Sequence, residues 1–198
     1  MGEKISAQTE TTTPSKTDEM VLVSGGNTRK ATIQNALETT LGWFDVGEDG
    51  AAQTSLGNGS DIQILVDAAD SNQGGYANLP HGISSSDVYD AGNSRIKLGW
   101  LDGGESILMR VSGDITTSAN TTAVTFTFKF FDSSDSEVFT LSDSRYYKTA
   151  GTYPFSIVLP IWISSTLASD GYVQVYANFD AGSGNAIDMG GFFVSVLS

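Results

Sequence analysis

Carboxylates are the most abundant ionisable groups in this chain that could do chemistry, since Asp and Glu outnumber Lys and Arg by 23 to 10. Two of them held roughly 5 to 10 Å apart can cleave a glycosidic bond, one as acid and the other as base or nucleophile. No spacing in the sequence marks such a pair. His81 is the only histidine, so multi-histidine metal centres are excluded and a Ser-His-Asp triad has a single candidate base. It stands in Leu79-Pro80-His81-Gly82, a turn-like context, and is read as structural or solvent-facing. There is no cysteine, hence no thiol nucleophile, disulfide or thiolate metal site. Asp45, Glu48, Asp49 and Gly50 share a calcium loop's composition but not its alternating spacing or distal glutamate, so they read as a solvated turn. The glycine clusters lack the spacing and the strand-to-helix setting of a nucleophile elbow, a phosphate loop or a dinucleotide fingerprint. The chain therefore reads as non-enzymatic, with no catalytic residue, metal or cofactor assigned.

Aromatic residues among polar neighbours are the remaining candidates. Tyr76, Tyr89, Trp100, Trp162, Tyr172 and Tyr176 can stack on a sugar or fill a core or subunit interface. The net charge of −13 makes binding to nucleic-acid phosphates unfavourable. Acidity of this kind reads as a solubility device.

The elements that must position these groups read as β-strands. Twenty-two glycines with only 17% charged residues imply many turns between short strands, and 198 residues suffice for one main core plus an appendage. From Ala123 to Phe130, Val124, Phe126, Phe128 and Phe130 share one face, with Thr125, Thr127 and Lys129 opposite, as in a half-buried antiparallel strand. Phe155, Ile157, Leu159 and Ile161 repeat the pattern, and Pro160 places that strand at an edge or bulge because proline cannot donate to a ladder. Val173, Val175, Ala177 and Phe179 alternate with Tyr172, Gln174, Tyr176 and Asn178. Further strands are expected within 61–67, 95–98, 107–112 and 192–197, and no helix beyond Thr40. The expected fold is all-β, an antiparallel jelly-roll-like sandwich over 41–198.

Residues 1–40 form a separate segment. A polar arm containing Thr11-Thr12-Thr13-Pro14 leads into the β-prone Met20-Val21-Leu22-Val23-Ser24, the turn Gly25-Gly26-Asn27 and a return strand through Thr28-Arg29-Lys30-Ala31. Thr32 can then cap a short helix with Ile33, Ala36 and Leu37 on one face. Such a unit is too small to bury its own apolar groups, so Val21, Leu22, Val23, Ile33 and Leu37 are read as an attachment surface, the alternative being that the unit folds against the domain that follows. No stretch reads as a secretion signal or a membrane span.

This order of parts, carried by Lys4-Ile5-Ser6-Ala7, by Thr17-Asp18-Glu19-Met20-Val21-Leu22-Val23 and by Gly25-Gly26-Asn27-Thr28-Arg29-Lys30-Ala31-Thr32, resembles the N-terminal segment of tailed-bacteriophage tail fibres and tailspikes. The remainder is similar to a recurrent phage body domain through Gly42-Trp43-Phe44-Asp45-Val46, Leu79-Pro80-His81-Gly82-Ile83, Gly104-Glu105-Ser106-Ile107-Leu108-Met109-Arg110-Val111 and Gly190-Gly191-Phe192-Phe193-Val194. The resemblance implies a homotrimeric jelly roll of the tumour-necrosis-factor or complement-head type. It further implies a virion structural protein, made in the host cytoplasm, that docks on other virion proteins of tail, baseplate or capsid. Its expected role is a short tail fibre or fibre-like appendage binding a host surface glycan or protein. Alternatives are a decoration (cement) protein of the head and a polysaccharide depolymerase.

Overall fold

The computed structural model describes residues 42–47, 52–66, 75–80 and 82–197, together with the strand backbone of β1 (Glu19–Ser24) and β2 (Asn27–Thr32). Those two strands form a two-stranded antiparallel sheet of their own, with Val21 opposite Lys30, Leu22 opposite Arg29 and Val23 opposite Thr28. The helix expected after Thr32, with Ile33 and Leu37, lies outside the described residues, as does His81.

The body is a sandwich of two antiparallel sheets. Its strands are β3 (Trp43–Val46), β4 (Gln53–Leu56), β5 (Ile62–Gln63), β6 (Tyr89–Asp90), β7 (Arg95–Lys97), β8 (Ser106–Thr117), β9 (Thr122–Phe131), β10 (Glu137–Tyr147), β11 (Gly151–Trp162), β12 (Tyr172–Phe179) and β13 (Asn185–Val196). One sheet runs β10-β9-β12-β7-β6, with β5 also on β12; the other runs β11-β8-β13-β3, with β4 also on β13. From β8 to β13 every connection crosses between the sheets except the β9–β10 hairpin. That path is a jelly roll, and the fold class expected from the sequence is the one observed.

Alternation explains which faces meet. Val124, Phe126, Phe128 and Phe130 of β9 and Val173, Val175, Ala177 and Phe179 of β12 point inward against Ile107, Met109 and Val111 of β8 and Phe192 and Val194 of β13, all buried in one cluster. The Phe126 and Phe155 rings meet across the layers with centroids 4.6 Å apart. Pro154 and Pro160 sit on β11, the free edge of its sheet, where a missing N–H costs no ladder bond.

Two expectations need correction. Two four-residue helices follow Thr40, α1 (Ser85–Val88) and α2 (Ser165–Ala168), each a single turn started by a serine N-cap. Asp45 is not a solvated turn residue: it is buried in β3 and accepts a hydrogen bond from the Gly75 N–H at 2.8 Å, which ties a loop to the sheet. Tyr172 and Gln174, on the side of β12 opposite its four inward residues, are buried as well. The turn between β6 and β7 covers Gln174, whose Nε2 donates to the Asn93 carbonyl at 3.1 Å, and the Arg95 guanidinium lies over the Tyr172 ring.

The quoted glycine motifs have steric reasons. A Cβ on Gly42 would lie 2.4 Å from Pro80 Cδ, so the β3 motif and the Leu79-Pro80 motif are packed on each other. Gly191, at φ +122, sits beside a register shift between β8 and β13, where a Cβ would come within 2.3 Å of the Val46 carbonyl oxygen. Among the described residues no helix is long and apolar enough to cross a membrane.

Candidate ligand cleft and interaction faces

A cleft of about 560 Å³ opens at one end of the β10-β9-β12 sheet, within the roughly 300–1,000 Å³ typical of small-molecule sites. Four short segments build it. The β9–β10 turn is closed by Asp132, whose Oδ1 accepts from the Ser134 and Ser136 N–H groups. That turn presents Asp135 at φ +60, a left-handed conformation that Asp tolerates better than most residues. The α2–β12 junction presents Asp170, also left-handed at φ +61, and Tyr172. A Cβ on Gly99 would lie 2.6 Å from Asp170 Oδ1, so glycine there lets the two segments close together. Strand β7 contributes Arg95 and Lys97, and α1 contributes Asp87.

One wall is a fixed triad. The Arg95 guanidinium lies 4.2 Å from the centre of the Tyr172 ring, the Tyr172 hydroxyl donates to Asp135 Oδ1 at 2.8 Å, and Arg95 Nη1 approaches the same oxygen at 3.4 Å. Phe131 stacks on Tyr172 with centroids 4.9 Å apart. Burial, then the hydrogen bond to the Asp135 carboxylate, pushes the Tyr172 hydroxyl up to about 12, so it stays a neutral donor at ordinary pH. Lys97 Nζ donates to the Ser86 carbonyl at 2.8 Å, fixing α1 against β7. Hydrogen bonds from Ser84 hold the Asp87 carboxyl below its usual range, and one from Asn93 does the same for Asp90.

The sequence-nominated aromatics do not converge. Trp100 lines the cleft, with its Nε1 donating to the Lys97 carbonyl at 2.8 Å and its ring edge-on to Phe44 at 6.1 Å. Tyr76 stacks on Phe44 at 6.2 Å and packs, partly buried, against the core. Tyr89 is buried with its hydroxyl donating to the Val66 carbonyl at 2.7 Å, so it serves the core and offers no face to a ligand or partner. Tyr176 lies on the outer face of β12 under Lys129, whose Nζ is 4.5 Å from its ring centre. Trp162 projects from the end of edge strand β11, 63% exposed. Arg95, Lys97, Asp135 and Asp170 were not foreseen, because the fold brings them from separated segments; the turn composition of Asp132-Ser133-Ser134-Asp135 was the one visible signal.

The outer faces of the two sheets differ. On β9 and β10 the outward pairs are polar, such as Thr125 with Ser144, joined at 2.9 Å, and Lys129 opposite Thr140. On the other sheet the outward positions include Trp43, Leu108, Val158, Pro160, Trp162 and Phe193. Leu108 lies opposite Pro160, and Arg110 lies between Val158 and Phe193 with its guanidinium 5.3 Å from the Phe193 ring centre. Trp43 packs on Phe193 at 5.6 Å. The same face also carries Asp45, Ser106, Arg110, Ser112, Ser156 and Ser195, so its apolar groups form a patch on a mixed face, one larger than the opposite sheet presents.

No family model and no curated protein sequence matches the chain. Among solved structures the chain is similar to one of infectious bursal disease virus, Gx strain, at 10% identity over 89% of this chain and 36% of that one, TM-score 0.49. It is similar to the VP2 subviral particle of the same virus at 11% identity over 90% and 37%, TM-score 0.44. It is also similar to the Eiger tumour necrosis factor from S. frugiperda, at 8% identity over 79% and 90%, TM-score 0.42. The chain spans little more than a third of the viral chains it matches.

Proposed function

We propose that this is a non-enzymatic structural protein of a tailed-phage virion, a short tail fibre or fibre-like appendage. Residues 1–40 dock it to the particle, and a trimeric β body faces the host surface. The observation that carries this reading is the hairpin of β1 and β2. The two strands that the tail-fibre-like segment is expected to contain pair antiparallel there, in a sheet separate from those of the body.

The apolar patch on the outer face of β11, β8, β13 and β3 supports self-association, because a body alone in water would leave Trp162 and Val158 63% and 50% exposed. The occupant of this face is a second copy of the chain. The long edge strands β10 and β11, bridged by Arg145 Nη2 donating to the Ser156 carbonyl at 2.6 Å, leave Phe139, Leu141, Tyr153 and Leu159 only partly covered at the open side of the sandwich. A threefold arrangement that sets this open edge on a neighbour's apolar face covers both.

A decoration protein of the head is the second reading, favoured by the short stretch of sequence, residues 33–41, that separates hairpin and body and is too short for a fibre shaft. Particles lacking the protein separate the two. An appendage predicts poor adsorption to host cells and unchanged heat resistance of the head. A cement, which stabilises the assembled shell by mass action, predicts early DNA release on heating with normal adsorption. Particles normal in both respects would overturn both readings.

A further inference from the structure

We infer that Asn58 is a self-modifying site, where the Gly59 backbone nitrogen displaces ammonia from the Asn58 side chain at a rate set by one hydrogen bond. The inference goes beyond the appendage reading and does not depend on where the protein sits on a particle.

Asn58-Gly59 is the one Asn-Gly pair in the sequence. Both residues are exposed, in the loop between β4 and β5. A Cβ on Gly59 would meet nothing within 4 Å, so nothing crowds the backbone where the reaction occurs. Asn58 Nδ2 donates to the Asp180 carbonyl oxygen only at 3.5 Å, beyond the usual hydrogen-bond range, which leaves the side-chain amide loosely held. Other asparagines lack this combination. The β-branched Thr121 follows Asn120, the residue after Asn93 is the buried Ser94, and Asn185 is itself buried.

The step balances with water alone. The Gly59 amide gives its proton to hydroxide and its nitrogen bonds to Asn58 Cγ. The Cγ–Nδ2 bond breaks, that nitrogen leaves with a proton from water as ammonia, and a five-membered succinimide closes. Water then adds to one ring carbonyl and the ring C–N bond there breaks. The product is aspartate or, with the main chain routed through the side-chain carbon, isoaspartate.

In the folded chain the Gly59 N–H donates to the Phe179 carbonyl oxygen at 2.8 Å. Its proton is released only when the loop lifts from the end of β12. Amide hydrogen exchange begins with the same deprotonation, so one local opening governs both reactions. The product holds the loop open. Isoaspartate adds a backbone carbon between Asn58 and Gly59, and either acid sets a carboxylate, in place of an N–H donor, against the Asp180 carbonyl. Asp61, whose own carboxylate is held by Lys129 and Asn178, lies three residues on.

The test follows the full chain in mildly alkaline buffer, folded and in guanidinium chloride, by peptide mass mapping with isoaspartate resolved from aspartate. Exchange of the Gly59 amide, read by NMR, supplies its protection factor. The reaction at residue 58 should be at least about fivefold slower in the folded chain, and the slowdown should match the protection factor to within about threefold. Asn58→Gln, whose ring would have six members, should fold normally and form no product. Three results would overturn the inference: no product at residue 58 in the unfolded chain, equal rates in both states, or a slowdown that departs from the protection factor by more than about threefold.

Discussion

The Tyr172 hydroxyl donates to Asp135 Oδ1 at 2.8 Å, tying the first residue of β12 to the turn between β9 and β10 and so closing one wall of the cleft. Replacing Tyr172 by Phe removes this bond and leaves the ring under Arg95. A loss of about 1–2 kcal/mol in denaturant-derived stability is expected, the scale of a hydrogen bond to a charged group at a partly exposed site. The same group sets a pH dependence. Its folded value, about 12, lies above the ordinary 10, so its contribution is complete below pH about 10 and is lost as pH rises from there through about 12. Ultraviolet titration of the tyrosines should show a late-ionising component that disappears in Tyr172→Phe.

The inward face of β9 is tested by a pair of aspartates. Phe128 is fully buried, so Phe128→Asp places a carboxylate without a partner in the core and should prevent folding. Thr127→Asp, on the polar outer face opposite Ser142, should melt within a few degrees of wild type. A normal melt for Phe128→Asp would put the register one residue out.

Gly191 should be irreplaceable. Gly191→Ala combines φ +122 with a Cβ 2.3 Å from the Val46 carbonyl oxygen and should cost more than about 2 kcal/mol. Gly57→Ala, with nothing within 4 Å of the added atom, should stay within about 0.5 kcal/mol of wild type.

Light scattering on the purified chain should report a trimer. The double variant Val158→Lys with Trp162→Lys places two charges on exposed positions of the apolar face, so it should yield a monomer with an unchanged far-ultraviolet spectrum. A variant that stays trimeric would move the interface elsewhere.

The Asp61 and Lys129 side chains, 2.8 Å apart, hold the Asp61 carboxyl below its usual range and the Lys129 amine above its own, each mainly through their mutual hydrogen bond. The pair's contribution is therefore complete at neutral pH, fading below about pH 4 as Asp61 takes up a proton and above about pH 10.5 as Lys129 loses one. Both groups are partly exposed, so Asp61→Asn should cost under about 1 kcal/mol at neutral pH and still less in high salt.

Strands that are buried on one side were legible in the sequence, because alternation is written by burial. The four inward residues of β9 and the four of β12 could be read directly. Strand β10 was not, since as an edge strand it is half-exposed along its length, and its inward row of Phe139, Leu141 and Tyr147 is interrupted by the charged Asp143 and Arg145, which breaks the alternation. The first half of β13 was hidden by Gly190-Gly191, where the register shift breaks the period of two. The burial of Tyr172 and Gln174 was not visible, because the groups that cover them come from distant segments, something periodicity along one strand cannot show. The cleft was illegible for the same reason: of its key groups only Trp100 and Tyr172 drew attention as aromatics, while Arg95, Asp135 and Asp170 gain meaning from being brought together.

Imaging virions by cryo-electron microscopy with a gold-conjugated antibody against this chain tests the central claim most directly. The account predicts label at the tail end of the particle, lost when residues 1–40 are deleted. Label spread over the head, or no label on intact virions, would contradict it.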